Sequence, residues 1–299
     1  MVKGMISCII PTYKRSDTLI RAINSVINQT YKNIEILVID DNDPNSEESM
    51  LVEKRLKDIF DKRLRYIKQL KHINGAAARN VGIKSSNGEF IAFLDDDDEW
   101  EYTKLERQMD VFLNDINCSG VSTLYKYYKN GVPIRKCSVY ETNDLHKKVL
   151  ERSVAICTPT VLLKKSCIDE SGYFDESLIR HQDIQLFLDF LLKYNIKLLP
   201  EYMVRINTEL EENRPTTQNI ISIKEEFFKK TQRHFEIYDK KVQRQIYSAH
   251  YFEIILVAIR ERNYKIVIKY IMKIGININA YLSVLRRFKE RNRNSITSK

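Results

Sequence analysis

The chain has 299 residues, of which 43% are hydrophobic and 30% charged. That is enough apolar material for a sizeable core, and with only 8 Gly and 6 Pro the chain is neither collagen-like nor linker-like. The net charge of +9 is unevenly spread: residues 1–215 carry 31 Lys and Arg against 33 Asp and Glu, whereas residues 216–299 carry 18 against 7.

This step divides the chain into 1–215 and a basic region, 216–299, and such a region points to an anionic partner: membrane lipid, a lipid diphosphate or nucleic acid. The longest apolar run, Ile254 to Ile259, is six residues, far short of the roughly 20 needed to span a bilayer. Met1-Val2-Lys3-Gly4 runs directly into a strand-like segment and leaves no room for a signal peptide. A cytoplasmic, soluble or peripheral protein is therefore expected. Cys8, Cys118, Cys137, Cys157 and Cys167 are odd in number and contain no C-x-x-C pair, so they read as buried reduced thiols.

In chain order, Met5 to Ile10 predicts a buried strand stopped by Pro11. Asp17 is a candidate cap for a helix carrying Leu19, Ala22, Ile23, Val26 and Ile27. Ile34 to Ile39 predicts a second strand, ending at the turn cluster Asp40-Asp41-Asn42-Asp43-Pro44. A helix with Leu51, Leu56 and Ile59 on one face follows, then a short strand over Leu64 to Ile67. Ala76 to Lys84 reads as helix, Asn87-Gly88 as a turn, and Phe90 to Leu94 as a strand running into Asp95-Asp96-Asp97-Asp98. Tyr102 to Leu113 is helical again. Alternating strands and helices predict an α/β fold, with a mainly parallel sheet flanked by helices. Ligands in such sheets bind beyond the carboxyl ends of the strands, where both acidic clusters should lie.

Further on, Gly120 to Tyr125 and Thr160 to Leu163 read as strands. Asp183 to Tyr194 reads as a helix with Ile184, Phe187, Leu188 and Leu191 on one side. Residues 207–219 are polar and loop-like. Three helical patterns close the chain: Ile246 to Ile259, Val267 to Ile274, and Tyr281 to Phe288.

Consecutive aspartates at a strand end repel one another unless a cation intervenes. Hard oxygen donors suit Mn²⁺ or Mg²⁺, and Mg²⁺ commonly takes one or two carboxylates plus substrate phosphates. Arg79, in the small-residue helix start Gly75-Ala76-Ala77-Ala78, can bind phosphate, pair with an acidic cluster or lie on the surface. Asp183 can cap a helix or take a proton from an attacking hydroxyl. The five histidines, His72 and His181 among them, lack metal-ligand spacing and read as ordinary polar residues.

Together these segments resemble the family 2 glycosyltransferases of the GT-A fold over roughly residues 5–205. Ile9-Ile10-Pro11-Thr12-Tyr13-Lys14-Arg15 looks like the family's opening strand and loop, and Val38-Ile39-Asp40-Asp41-Asn42 like its second strand. Gly75 with Ala78-Arg79-Asn80-Val81-Gly82 is similar to its Gly…Ala-Arg-Asn-x-Gly segment, and Asn87 to Trp100 to its DXD strand. Gly172-Tyr173-Phe174-Asp175-Glu176 and Gln182-Asp183 resemble its acceptor-side signatures.

The resemblance implies a Rossmann-like nucleotide-binding domain, to which the helical patterns after residue 219 add a C-terminal helical extension. It also implies an inverting hexosyltransferase that uses Mn²⁺ or Mg²⁺. Pro11, Thr12, Tyr13, Arg15, Asp40, Asp41, Arg79, Asp95 and Asp96 would bind the nucleotide, Asp97 and Asp98 the metal, and Asp183 would be the general base. The implied donor is a nucleotide sugar, with UDP the default, carrying a hexose or N-acetylhexosamine. The implied acceptor is a saccharide, lipid-diphosphate-linked, in the synthesis of a surface polysaccharide such as O-antigen, capsule or exopolysaccharide.

Four positions depart from the family pattern: Gln182 where Glu is usual, Asp189 where Arg is, Tyr102 where Pro is, and Asn207 where His is. The Gln-x-x-Arg-Trp motif of processive synthases is absent, which favours single addition. Residues 240–299 suit either the inner face of an anionic membrane or a packing surface such as a homodimer interface. Two other readings rank lower. A sugar-phosphate nucleotidyltransferase would want a Gly-rich loop after the first strand, and residues 11–15 have no glycine. A nucleic-acid binder leaves the acidic strand ends unexplained and shows no reading motif, so no nucleic acid is expected as a partner.

Overall fold

The computed structural model describes residues 1–154, 156–208 and 215–275. Four of its strands, β1 (Val2–Thr12), β2 (Ile34–Asp40), β3 (Leu64–Lys68) and β4 (Gly88–Phe93), lie parallel in the order β3-β2-β1-β4. They are linked by α1 (Ser16–Ile27), α2 (Glu47–Leu56) and α3 (Gly75–Ser85). The sheet then continues through strands met later in the chain. After β5 (Glu99–Trp100) and α4 (Lys104–Asn114) come β6 (Gly120–Lys129), β7 (Val132–Lys136), α5 (Leu145–Leu150), β8 (Val161–Lys164), α6 (Lys165–Ser171), α7 (Gln182–Leu191) and β9 (Ile196–Asn207).

Strand β8 is antiparallel to both β4 and β6, β9 is parallel to β6, and β5 closes the edge antiparallel to β9. The sheet is therefore parallel where helical crossovers build it and mixed beyond β4. Among the described residues four helices follow: α8 (Thr217–Lys230), α9 (Gln232–Glu236), α10 (Lys240–Arg260) and α11 (Tyr264–Ile274). The expected helix over Tyr281 to Phe288 and the acidic stretch 209–213 lie outside the described residues.

Several local expectations need correction. Pro11 does not stop its strand; β1 runs on to Thr12. Its pairing with β4 ends at Ile9, and the main chain of Thr12 turns to β2, accepting from Asp41 N at 2.9 Å. Pro11 thus faces the side where β4 has already ended, and its missing N–H drops no ladder bond. Asp17 does not cap α1, which starts at Ser16 with Arg15 as N-cap; Asp17 pairs instead with Arg55 of α2. On α2 the buried face is Ser49, Val52 and Leu56, and Leu51 is exposed. Helix α7 is buried on every side from Ile184 to Phe190, not on one face, because α5, α6 and the C-terminal helices surround it. On α10 the fully buried apolar positions are Ile246, Ala249, Ile254, Ile255 and Ala258, and Ile259 is exposed.

Close packing sets the position of α3. A Cβ added at Gly82 would overlap the side chain of Ile9 on β1. Helix α3 therefore lies hard against the sheet, which fixes Arg79 one turn earlier at the strand ends. Asn74 caps α3 by accepting from Ala77 N at 3.0 Å. Gly82→Ala should cost about 1–3 kcal/mol by overpacking. Thermal denaturation checks this, and an unchanged midpoint would contradict the packing argument.

The hydrophobic core does not break at the 215/216 charge step. One cluster joins Ile9, Phe93 and Phe187 to Phe227, Phe235 and Ile246. A smaller cluster joins α8, α10 and α11 through Ile220, Ile255 and Tyr270.

Candidate active site

A cleft of about 720 Å³ opens at the carboxyl ends of β1, β2 and β4. Pro11, Thr12, Tyr13, Arg15, Asp41, Arg79, Asp95, Asp96 and Asp97 line it, together with Lys14, His72, Asn74 and Gly75. Both acidic clusters thus reach one sheet edge. They come together because parallel strands point their carboxyl ends the same way.

Asp41 is almost fully buried. It accepts from Ile73 N at 3.0 Å and from the Gln69 side chain, and its Oδ2 lies 2.9 Å from His72 Nδ1. Burial raises its pKa, and the Ile73 bond and His72 oppose that shift. His72 in turn stacks on Tyr13, with ring centroids 4.0 Å apart and planes at 16°. Local spacing carries no sign that His72 stands against Asp41 and Tyr13; the return of β3 beside β2 brings it there. Asp40 does not face the cleft. It is fully buried and accepts from Asn42 N at 2.9 Å, Asn42 Nδ2 at 2.7 Å, Ser49 Oγ at 2.8 Å and the Tyr66 hydroxyl. Those bonds shape the turn that presents Asp41.

The four aspartates after β4 have four different surroundings. Asp95 pairs with Arg79. Asp96 is buried and accepts from Thr12 Oγ1 at 2.8 Å, Tyr13 N at 3.3 Å and Arg15 at 3.2 Å. Desolvation pushes the Asp96 carboxyl up to about 6, although Arg15 pulls the other way. Asp97 takes Arg15 at 2.6 Å, and its carbonyl accepts from Arg21 at 3.2 Å and Asn207 Nδ2 at 2.9 Å. Asp98 turns inward and accepts from Asn207 N at 3.0 Å. Burial first, and then the neighbouring carboxylates, raise the pKa of Asp97 and more strongly that of Asp98.

Negative charge is therefore concentrated where it is poorly solvated, and hard oxygen donors of this kind fit Mg²⁺ or Mn²⁺. Among the described residues no group of three or more His, Cys, Asp or Glu is arranged to hold a metal by itself. Asp97 reaches the cleft and Asp98 does not line it. An ion here would complete its shell with water and with oxygens of a bound phosphate.

Arg79 is largely buried, with its guanidinium 5.7 Å from the Phe174 ring. A side chain at Gly75 would crowd it. Asn80 ties the segment 172–176 to α3: its amide donates to Phe174 O at 2.9 Å and Glu176 Oε1 at 2.8 Å, and it accepts from Phe174 N at 3.1 Å.

Asp183 does not line the cleft. It lies half-buried on the first turn of α7, whose N-cap is His181, and its Oδ1 accepts from Ile184 N at 2.9 Å. Burial raises its pKa; Arg152 and Arg79 oppose this and Asp95 adds to it. The Arg79–Asp95 pair thus belongs to both places, lining the cleft and acting on Asp183.

Three of the four departures from the family pattern have side-chain partners here. Gln182 donates to Leu178 O at 2.6 Å. Asp189 is a buried anchor that accepts from Arg233 and Gln185 and lies 2.8 Å from His234 Nε2, fixing α7 to α9. Asn207 sits against the acidic turn.

Comparison with known proteins bears on the same segments. The family described as glycosyl transferase family 2 matches residues 7–169. A glycosyltransferase of Rickettsia felis is 35% identical over 195 residues, 64% of this chain and 31% of that protein. The chain's match thus spans about a third of such relatives. The Escherichia coli protein WfgD, a UDP-Glc:alpha-D-GlcNAc-diphosphoundecaprenol beta-1,3-glucosyltransferase, is 30% identical over 65% of this chain and 73% of its own. The crystal structure of S. aureus TarS 1–349 in complex with UDP-GlcNAc superposes with a TM-score of 0.63 at 17% identity, covering 82% of this chain and 71% of that one. That likeness is one of fold, and the fold is the GT-A arrangement of a nucleotide-binding sheet between helices. With more than half of its length matched by the family model, the chain belongs to the family 2 glycosyltransferases.

Proposed function

We propose that the protein is an inverting, divalent-metal-dependent hexosyltransferase. It moves a hexose or N-acetylhexosamine from a UDP-sugar to a lipid-diphosphate-linked saccharide in surface polysaccharide synthesis. The observation that carries this reading is the meeting of the Asp41 loop, Arg79 and the Asp95–Asp97 turn in one cleft at the strand ends. The transfer that WfgD makes to a diphosphoundecaprenol-linked GlcNAc supports the acceptor class.

In this reading Asp41, with Tyr13 and His72 beside it, holds the uracil, and Arg79 and Arg15 meet the diphosphate. Asp97, with Asp98 behind it, would hold Mn²⁺ or Mg²⁺, which when bound offsets charge developing on the leaving diphosphate. Asp183 takes the proton of the acceptor hydroxyl as its oxygen attacks the anomeric carbon. The bond from that carbon to the diphosphate oxygen breaks, UDP leaves with the electron pair, and an α-linked donor gives a β-glycoside. A thermal-shift screen of nucleotide sugars tests the donor class. UDP-sugars should raise the midpoint only with Mn²⁺ or Mg²⁺, and equal stabilisation by GDP-sugars would overturn the uridine assignment.

We further propose that the basic helices lie on an anionic inner leaflet. On α11, Tyr264, Ile268 and Met272 are 64%, 59% and 74% exposed at four-residue intervals. Lys265, Lys269 and Lys273 follow one position on. An apolar stripe beside a lysine ladder suits a lipid surface, where each basic residue adds about 1 kcal/mol. Among the described residues no helix is long and apolar enough to cross a membrane. Co-sedimentation should show binding to phosphatidylglycerol vesicles, lost in Ile268→Glu/Met272→Glu. If the double variant instead dissolved a dimer in solution and left vesicle binding intact, the face would be a packing surface.

A further inference from the structure

Behind Asp183 lies a buried polar network that neither the donor cleft nor the proposed chemistry uses. Arg152, just after α5, donates to Glu253 Oε1 of α10 at 2.6 Å and to His181 Nδ1 at 3.1 Å. Lys224 of α8, its side chain wholly buried, donates to Glu253 Oε2 at 2.6 Å and to His250 Nδ1 at 3.1 Å. Lys224 Nζ also lies 3.3 Å from His181 Nε2. His250 Nε2 is 2.8 Å from Leu150 O, which fixes its proton on Nε2 and leaves Nδ1 to accept from Lys224.

His181 is the N-cap of α7, in the left-handed region at φ 67°, two residues before Asp183. Burial, and then Arg152 and Lys224 against its two ring nitrogens, hold its pKa well below the usual value, so it stays neutral. Two cations then face one carboxylate, Glu253. The surplus positive charge lies against the start of α7 through the Arg152–His181 bond, and Asp183 is the acid on that first turn. The other groups facing Asp183 are Arg79, Asp95 and the thiol of Cys157.

We propose that Arg152 is a positioning residue for sugar transfer. Clamped by Glu253 and backed by Lys224, it donates to the N-cap of α7 and holds a positive charge beside the turn that carries Asp183, and α8 and α10 thereby become part of the transfer machinery. The proposal rests on Asp183 being the base.

The test is the pH dependence of kcat/KM for the full chain, whose acid limb reports the base in the free enzyme. In Arg152→Met the limb should move up by about one pH unit or more, with activity recovering at alkaline pH. In Glu253→Gln, which removes the competing negative charge, the limb should move the opposite way. Arg152→Lys should leave it in place, and UDP affinity should stay within about twofold in all three. A loss in Arg152→Met of the same factor at every pH would overturn the proposal. If that variant does not fold, an unmoved limb in Glu253→Gln would overturn it. Undiminished turnover in Asp183→Asn would remove the base assignment and this proposal together. An inactive Asp183→Asn with unmoved limbs in the other variants would overturn the proposal alone.

Discussion

Asp97→Ala should bind UDP on the order of a hundredfold more weakly in Mn²⁺, about 2.7 kcal/mol, and adding the ion should no longer improve binding. The expectation follows from how the four aspartates are occupied. Asp96 is engaged by Thr12, Tyr13 and Arg15, Asp95 by Arg79, and Asp98 by the main chain of Asn207. Asp97 lines the cleft with Arg15 as its side-chain partner, on a flexible guanidinium that a divalent ion can displace. Burial, and then Asp95, raise its pKa, and a divalent ion would offset both. Calorimetric titration of UDP with and without Mn²⁺ measures the effect. Wild-type affinity and undiminished ion dependence in the variant would show that the ion is held elsewhere.

Asp183→Asn should leave UDP binding intact while transfer falls by about 10²–10⁴, the usual worth of a positioned base. The substitution keeps size and hydrogen-bonding capacity and removes only the ability to take a proton. Because burial raises the Asp183 pKa, the carboxylate forms later in a pH titration than an ordinary aspartate. Wild-type transfer should therefore rise with pH through a limb displaced above the common carboxylate range, and the residual activity of the Asp183→Asn variant should lack that limb. Initial rates of acceptor glycosylation, set beside UDP release without acceptor, separate transfer from donor hydrolysis. Unchanged turnover would assign proton removal to another group.

Much of the donor side is legible in the chain. Short β-branched runs alternating with helical patterns forecast the parallel half of the sheet, and strands ending in Asp40-Asp41 and Asp95 to Asp98 place both clusters at one edge. Asp40 and Asp41 cannot be told apart in this way. Their roles depend on Ser49 and Tyr66 on one side and on Ile73 and Gln69 on the other. Strand β9 escapes a sequence reading because Ile196–Asn207 carries Pro200 and no strict alternation, yet its partner β6 supplies the ladder.

Lys104 shows the same limit. It reads as one more surface lysine near a helix start. It is fully buried, 4.2 Å from the Trp100 ring and 2.7 Å from Gln108 Oε1, and desolvation pushes its pKa down to about 7. Arg152, Lys224, His250 and Glu253 are unreadable for a related reason. Contacts between residues some 30 to 100 positions apart leave no trace in local periodicity.

The interlock of α7 with α9 through Asp189, Arg233 and His234 also limits how such enzymes can be recombined. A chimera that grafts a foreign tail at residue 216 would strand the Asp189 carboxylate in an apolar socket and strip Phe187 of its cover.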